Sequence, residues 1–163
     1  MMETKLKGNE VDRVRRQLQF EYSLVVPSIR QSGGLMLLWR NETKVSIRSY
    51  SKGHIDAAIQ EGCWSWRFIG IYGNPVRGLH HERWRLMTRL AEQSDIPWVL
   101  GGDFNEITDG SEKKGGSSRA EADMRDFQEA IDCCGVLDPG FIDLKYTWSN
   151  KHTSEEKLVL ERE

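Results

Sequence analysis

Pro97-Trp98-Val99-Leu100-Gly101-Gly102-Asp103-Phe104-Asn105-Glu106 is the stretch on which the reading of the fold turns. Its first half is short, apolar and β-prone after a proline, the pattern of a buried strand. Its second half replaces the apolar run with Asp-x-Asn, so polar groups arrive where a buried strand reaches the rim of its sheet. If the chain stays extended through Gly102-Asp103-Phe104-Asn105, alternation puts the Asp103 and Asn105 side chains on the same face. A carboxylate there can take a proton from water or hold a divalent cation, while an amide orients a phosphate oxygen or that water. An Asx-turn that merely ends the strand accounts for the same residue types, and the tetrad alone leans that way. An EF-hand does not fit, because Ile107 and Thr108 stand where an oxygen ligand and a glycine belong.

Outward from this stretch the pattern alternates between periods. Toward the N-terminus, Asn9 can cap a short helix with Val11, Val14 and Leu18 at helical spacing. Tyr22–Val26, Gly34–Trp39 and Lys44–Tyr50 read as strands, separated by Pro27 and by Ser32-Gly33-Gly34. A further strand over Ser65–Tyr72 closes at Gly73-Asn74-Pro75, a turn signal. Leu79–Gln93 reads as an amphipathic helix with Trp84, Met87, Leu90 and Ala91 on one side. Toward the C-terminus, a Gly- and charge-rich loop covers Asp109–Ser117. Ser118-Arg119-Ala120-Glu121 has the form of a capping box for a helix that carries Met124, Phe127, Ile131 and Cys134 and stops at Gly135. Tyr146-Thr147-Trp148 and Leu158-Val159-Leu160 read as two strands around a polar turn. Strands outnumber helices yet interleave with them, which points to a mixed α/β sandwich.

Composition bounds the answer. A chain of 163 residues is the size of one domain, so a single unit over 1–163 is expected. The residues AVILMFWYC make up 38%, with 6 Trp, 4 Tyr and 5 Phe, enough for a core and too much for a disordered chain. No apolar run approaches the roughly 18 residues of a membrane span, and no signal-peptide pattern or other targeting segment is visible. With 3 Cys, two of them adjacent (Cys133, Cys134), the chain has a poor disulfide framework, which points to a reducing compartment. The net charge of −2 excludes a histone-like, strongly basic nucleic-acid binder. It conceals a split: residues 1–90 carry 15 Lys and Arg against 8 Asp and Glu, whereas residues 91–163 carry 8 against 17. Two solvated faces explain that split, as does an acidic, cation-binding site beside a basic surface that tracks a phosphate backbone.

Taken singly, the other candidate groups read as structure. Glu3 is by pattern an exposed terminal charge, and Tyr72 a packed aromatic with its hydroxyl at an edge. His80-His81-Glu82 lacks the HExxH spacing, and adjacent helical side chains diverge by roughly 100°, so these are read as surface residues. Trp64 and Trp66 share a face at period two and read as core or edge packing.

Taken together, five blocks in order resemble the endonuclease/exonuclease/phosphatase superfamily with its DNase I-like fold, and most closely the endonuclease domain of plant LINE-type non-LTR retrotransposons. They are Met2-Glu3-Thr4-Lys5, Ser32-Gly33-Gly34-Leu35-Met36-Leu37-Leu38-Trp39, Tyr72-Gly73-Asn74-Pro75, Pro97 through Glu106, and Tyr146-Thr147-Trp148-Ser149-Asn150. The second and last blocks favour this branch over phosphatases of inositol lipids or small phosphates. The resemblance implies a four-layered α/β sandwich of two mixed β-sheets flanked by helices. It implies that Glu3 binds a catalytic Mg2+ or Mn2+, that Asp103 activates the attacking water, that Asn105 positions phosphate and nucleophile, and that Tyr72 lies close to the scissile phosphate. DNA is the implied partner, with no membrane, and the nucleus the implied location.

The family also has an asparagine motif on a strand before the glutamate, then an Arg-x-Asp segment and a Ser-Asp-His motif at its end. The sequence begins with the glutamate block and stops at Leu160-Glu161-Arg162-Glu163, and none of His54, His80, His81 or His152 stands in a Ser-Asp-His context. The expectation is therefore an incomplete DNase I-like domain, lacking the first strand and the last strands with the catalytic His. It would be a metal-dependent phosphodiester hydrolase inactive or nearly so as this chain. The alternative is a non-enzymatic retroelement remnant or truncated gene model with at most weak nucleic-acid binding.

Overall fold

The computed structural model describes residues 4, 9–28, 33–93, 95–140, 142, 145–151 and 158–162. They fall into two compact units, Met1–Tyr72 with Ser94–Asp103, and Gly73–Gln93 with Phe104–Glu163.

In the first unit, α1 (Asn9–Gln17) leads into the antiparallel pair β1 (Tyr22–Val26) and β2 (Leu35–Trp39). Strands β3 (Lys44–Ser51), β4 (His54–Glu61), β5 (Trp64–Tyr72) and β6 (Trp98–Asp103) form a four-stranded sheet in that order. The first three are antiparallel, as their short connections require, and β5 pairs with β6 in parallel. Strand β3 is an edge whose burial alternates residue by residue, and its register slips between Ile47 and Ser49, a bulge that blunts the edge. One apolar cluster of this unit is Val26, Leu35, Ile55 and Tyr72, with Leu24 and Leu37 packed against it.

Strand β4 has no counterpart in the sequence reading. Its HIDAAIQE composition is poor in β-branched and aromatic residues, yet His54–Ala57 are buried because β4 is a central strand. It carries a carboxylate inward. Arg67 on β5 is completely buried and clamps Asp56 in a fork, Nε to Oδ1 at 2.7 Å and Nη2 to Oδ2 at 2.9 Å. The Ser49 hydroxyl donates to Asp56 Oδ2 at 3.3 Å and contacts His54 Nε2 at 2.9 Å, so the pair belongs to a wider polar network.

In the second unit, α2 (His80–Glu92) packs on α3 (Glu121–Cys134). Trp84 stacks on Phe127 at 4.5 Å between centroids, and Phe104 leans on the same ring at 5.2 Å. Gly135 ends α3 in the left-handed conformation (φ 65°), as the sequence reading expects. The capping box expected at Ser118 does not form. The helix starts at Glu121, and Ala120, its N-cap, makes no side-chain cap bond. A capping box exists instead at Asp109 and Glu112, around a 3-10 turn in the loop after β6. The short strands β7 (Lys113–Lys114), β8 (Trp148–Ser149) and β9 (Leu160–Glu161) make a sheet in the order β7-β9-β8. Among the described residues no helix is long and apolar enough to cross a membrane.

Candidate functional site

Parallel pairing of β5 with β6 sets Tyr72 opposite Asp103, the last residue of each strand. Two sequence blocks 31 positions apart thus end side by side. The Tyr72 ring is buried, and Gly33 lies over it: a Cβ at Gly33 would sit 3.7 Å from Tyr72 Cε1. Gly33 is also left-handed (φ 79°), a conformation that glycine adopts without strain. The next carbonyl, of Gly34, accepts the Thr4 N–H at 3.1 Å. The glycine pair before β2 is thus near the Tyr72 ring at Gly33 and bonded to Thr4 at Gly34. Glu3, the metal ligand that the family resemblance implies, lies outside the described residues.

Both strands leave this rim at special backbone. The position of a Cβ on Gly73 would be 1.7 Å from Phe104 O and 2.9 Å from Asn105 N, so the two exits run closer than any side chain permits. Asn105 Nδ2 donates to Gly73 O at 3.1 Å. Asn105 does not follow strand alternation. Strand β6 ends at Asp103, and Asn105 has φ 56°, so the chain is not extended through the tetrad and a shared strand face does not govern Asn105. Asn tolerates that conformation better than most residues, and its side chain goes to the neighbouring exit strand.

Glu106 follows, and its side chain is 0% exposed. Oε1 accepts the Ile107 N–H at 3.1 Å and lies 3.2 Å from Arg119 Nε, while Oε2 lies 3.4 Å from His80 Nδ1. The contacts to Arg119 and His80 have ion-pair distance without hydrogen-bond angles. Glu106 Oε2, Arg119 Nε and His80 Nε2 therefore lack a hydrogen-bond partner among the described residues. Burial alone would raise the Glu106 carboxyl, but His80, the Ile107 N–H and Arg119 together outweigh it and hold it below its ordinary value. Arg119 Nη2 also reaches Glu161 Oε2 at 3.0 Å, and Glu161 pairs with Lys113. Arg162 bridges Glu112 at 3.2 Å and Asp138 at 2.7 Å. The Glu112 carboxylate in turn accepts the Thr108 N–H at 2.8 Å. Ion pairs of Glu106, Glu112 and Glu161, all buried or half-buried, hold the loop after Asn105.

This cluster corrects the reading of His80, which is buried at 6% exposure, whereas His81 and Glu82 are exposed as expected. The reason is position: His80 opens α2 and turns inward to Glu106. Arg119 and Glu106 were legible only as parts of motifs, since nothing in sequence spacing links positions 80, 106 and 119. Trp64 departs from packing at 76% exposure, because it opens β5 at the hairpin end, while Trp66 is half-buried. Among the described residues, no three His, Cys, Asp or Glu side chains gather as metal ligands would.

Among the described residues, the three α-helices and several sheets of this mixed α/β chain match a DNase I-like endonuclease fold, the class the sequence led us to expect. In particular, the chain is similar to a solved structure described as "Endonuclease domain of TRAS1, a telomere-specific non-LTR retrotransposon". The TM-score is 0.65, the match covers 99% of this chain and 81% of that one, and 13% of residues are identical. At that identity the likeness is one of fold. No protein-family model matches the sequence, and no curated protein matches it.

Proposed function

We propose that the chain is a nuclease-related domain built for metal-dependent chemistry on the phosphodiester backbone of nucleic acid. The observation that supports it most is the pairing of Tyr72 with Asp103 at the strand ends, under Gly33 and next to the segment that follows Glu3. The donor set suits a hard cation held by few protein ligands. Glu3 is the ligand the resemblance implies, Asp103 is a carboxylate at the rim, and Mg2+ is commonly bound by one or two carboxylates with substrate oxygens and water completing its shell. When bound, such an ion supplies neutralisation of the charge that develops on the phosphate. Asp103 would take the proton from the attacking water. By the resemblance, Asn105 would orient a phosphate oxygen by its amide, and Tyr72 would lie close to the scissile phosphate. No covalent nucleophile is needed.

The same reading includes weak or absent turnover in this chain, because no histidine of the sequence stands in a Ser-Asp-His context. Nicking of supercoiled plasmid in Mg2+ tests it, alongside binding of a short duplex. The expected result is duplex binding that falls with salt and no nicking above background. Robust nicking that vanishes in Asp103→Ala would refute the inactivity and keep the site. A duplex that binds neither with nor without Mg2+ would refute the nucleic-acid reading and favour a non-enzymatic remnant.

A further inference from the structure

Next to Asn105 stands a carboxylate that the proposed chemistry does not use. Glu106 is buried with its charge, and it is gripped from two elements far apart in sequence: His80 at the start of α2 and Arg119 just before α3. We propose that Glu106 is a positioning residue for Asn105, its clamped carboxylate holding the left-handed turn that sends the Asn105 amide to the Gly73 carbonyl. This rests on the reading of Asn105 as a phosphate-orienting group.

Three features carry it. First, Asn105 sits at φ 56°, a left-handed backbone that Asn tolerates but that is still sparsely populated, so surroundings that hold it there count. Asn105 has its own bond to Gly73, and the residue after it is held by three contacts. Second, a buried carboxylate whose neighbours retain unspent hydrogen-bonding capacity is an expensive way to fill space, and an apolar side chain of that size would do so at lower cost. Charge adds direction. Arg119 and His80 draw on Glu106 from separate elements, and Arg119 is braced by Glu161 on β9. Third, Glu106 shares a peptide unit with Asn105, so an anchor on one residue sets the backbone of the other. Ile107, 2% exposed, pins the far side.

The test is a double-mutant cycle with Asn105→Ala, Glu106→Gln and the double variant. It is read by fluorescence anisotropy of a short DNA duplex in Mn2+ and by NMR of the Asn105 side-chain amide, with thermal melting as the folding control. Glu106→Gln should weaken binding by roughly two- to tenfold, the lower part of the range over which contacting residues couple. It should shift the Asn105 amide and speed its exchange, and it should add nothing in the Asn105→Ala background. If Glu106→Gln does not fold, Arg119→Lys takes its place, keeping the charge while losing the guanidinium geometry. Effects that simply add, or an unchanged Asn105 amide, overturn the positioning role and leave the site reading standing. If the wild type binds and Asn105→Ala changes nothing, the site reading fails and takes the positioning role with it. Should the duplex not bind at all, the Asn105 amide alone decides.

Discussion

Gly73→Ala is the substitution whose consequence the geometry states most sharply. The new Cβ would lie 1.7 Å from Phe104 O and 2.2 Å from Phe104 C, where side-chain carbons do not come within about 3.0 Å of such atoms. The obstacle is backbone, not the tip of a flexible side chain, so one exit strand has to move by about 1.3 Å. Overpacking of this kind costs about 1–3 kcal/mol. Displacing the exits also strains or breaks the Asn105 Nδ2 to Gly73 O bond, adding about 1 kcal/mol. A loss of roughly 2–4 kcal/mol corresponds to a fall in Tm of about 5–15 °C for a domain of this size. Gly78→Ala is the matched control, since nothing lies within 4 Å of its Cβ position. It should change stability by no more than about 0.5 kcal/mol. Calorimetry of the three proteins, with NMR of the Asn105 side-chain amide, is the assay. A Gly73→Ala variant that melts with the wild type and keeps its Asn105 amide resonance refutes the close approach and the site geometry built on it.

Other substitutions and conditions test separate parts of the account. Asp56→Ala should cost about 3–5 kcal/mol in urea denaturation by taking the carboxylate from a buried guanidinium, whereas replacing Asp56 and Arg67 together with Leu and Met should cost less than that single change. Equal losses would argue that the ion pair itself stabilises the sheet. Because Glu106 is held below its ordinary value of 4.5 in the folded chain, its contribution is present above that value and is lost as pH falls through the folded one. Urea midpoints from pH 7 to 3 should therefore drop more steeply for the wild type than for Glu106→Gln, and parallel curves would contradict the assignment. Alkylation at pH 8 should label Cys63 and Cys133 quickly and Cys134 slowly, because Cys134 is buried and burial, with Cys133 beside it, pushes its thiol up. Equal rates at all three would place α3 differently.

What was legible in the sequence follows from which interactions are local. Val11 and Val14 at helical spacing, the apolar run before Asp103 and Gly135 after Cys134 each declare their element through neighbours a few residues away, and α1, β6 and the end of α3 lie where these signals put them. Strand β4 declared nothing, because Ala57, Ala58 and Gln60 have little preference for strand and its burial comes from β3 and β5 on either side. The Ser118 capping box was a sound local signal that lost to a distant one: Arg119 is claimed by Glu106 and Glu161, and α3 starts two residues past it. Asp103 and Tyr72 could be nominated as site residues, but their adjacency is a property of strand register. Asn105 shares no strand face with Asp103, and its bond to Gly73, 32 positions away, is one that no local pattern signals.

Mn2+ titration followed by paramagnetic broadening of NMR signals tests the central claim most directly, because it needs no turnover. Resonances of Thr4, Tyr72 and Asp103 should broaden at the lowest Mn2+ concentrations, and Glu3→Gln should abolish that selectivity. Broadening that begins on the exposed acidic groups of α3, or that is indifferent to Glu3→Gln and Asp103→Asn, would contradict a metal-dependent phosphodiester site at the ends of β5 and β6.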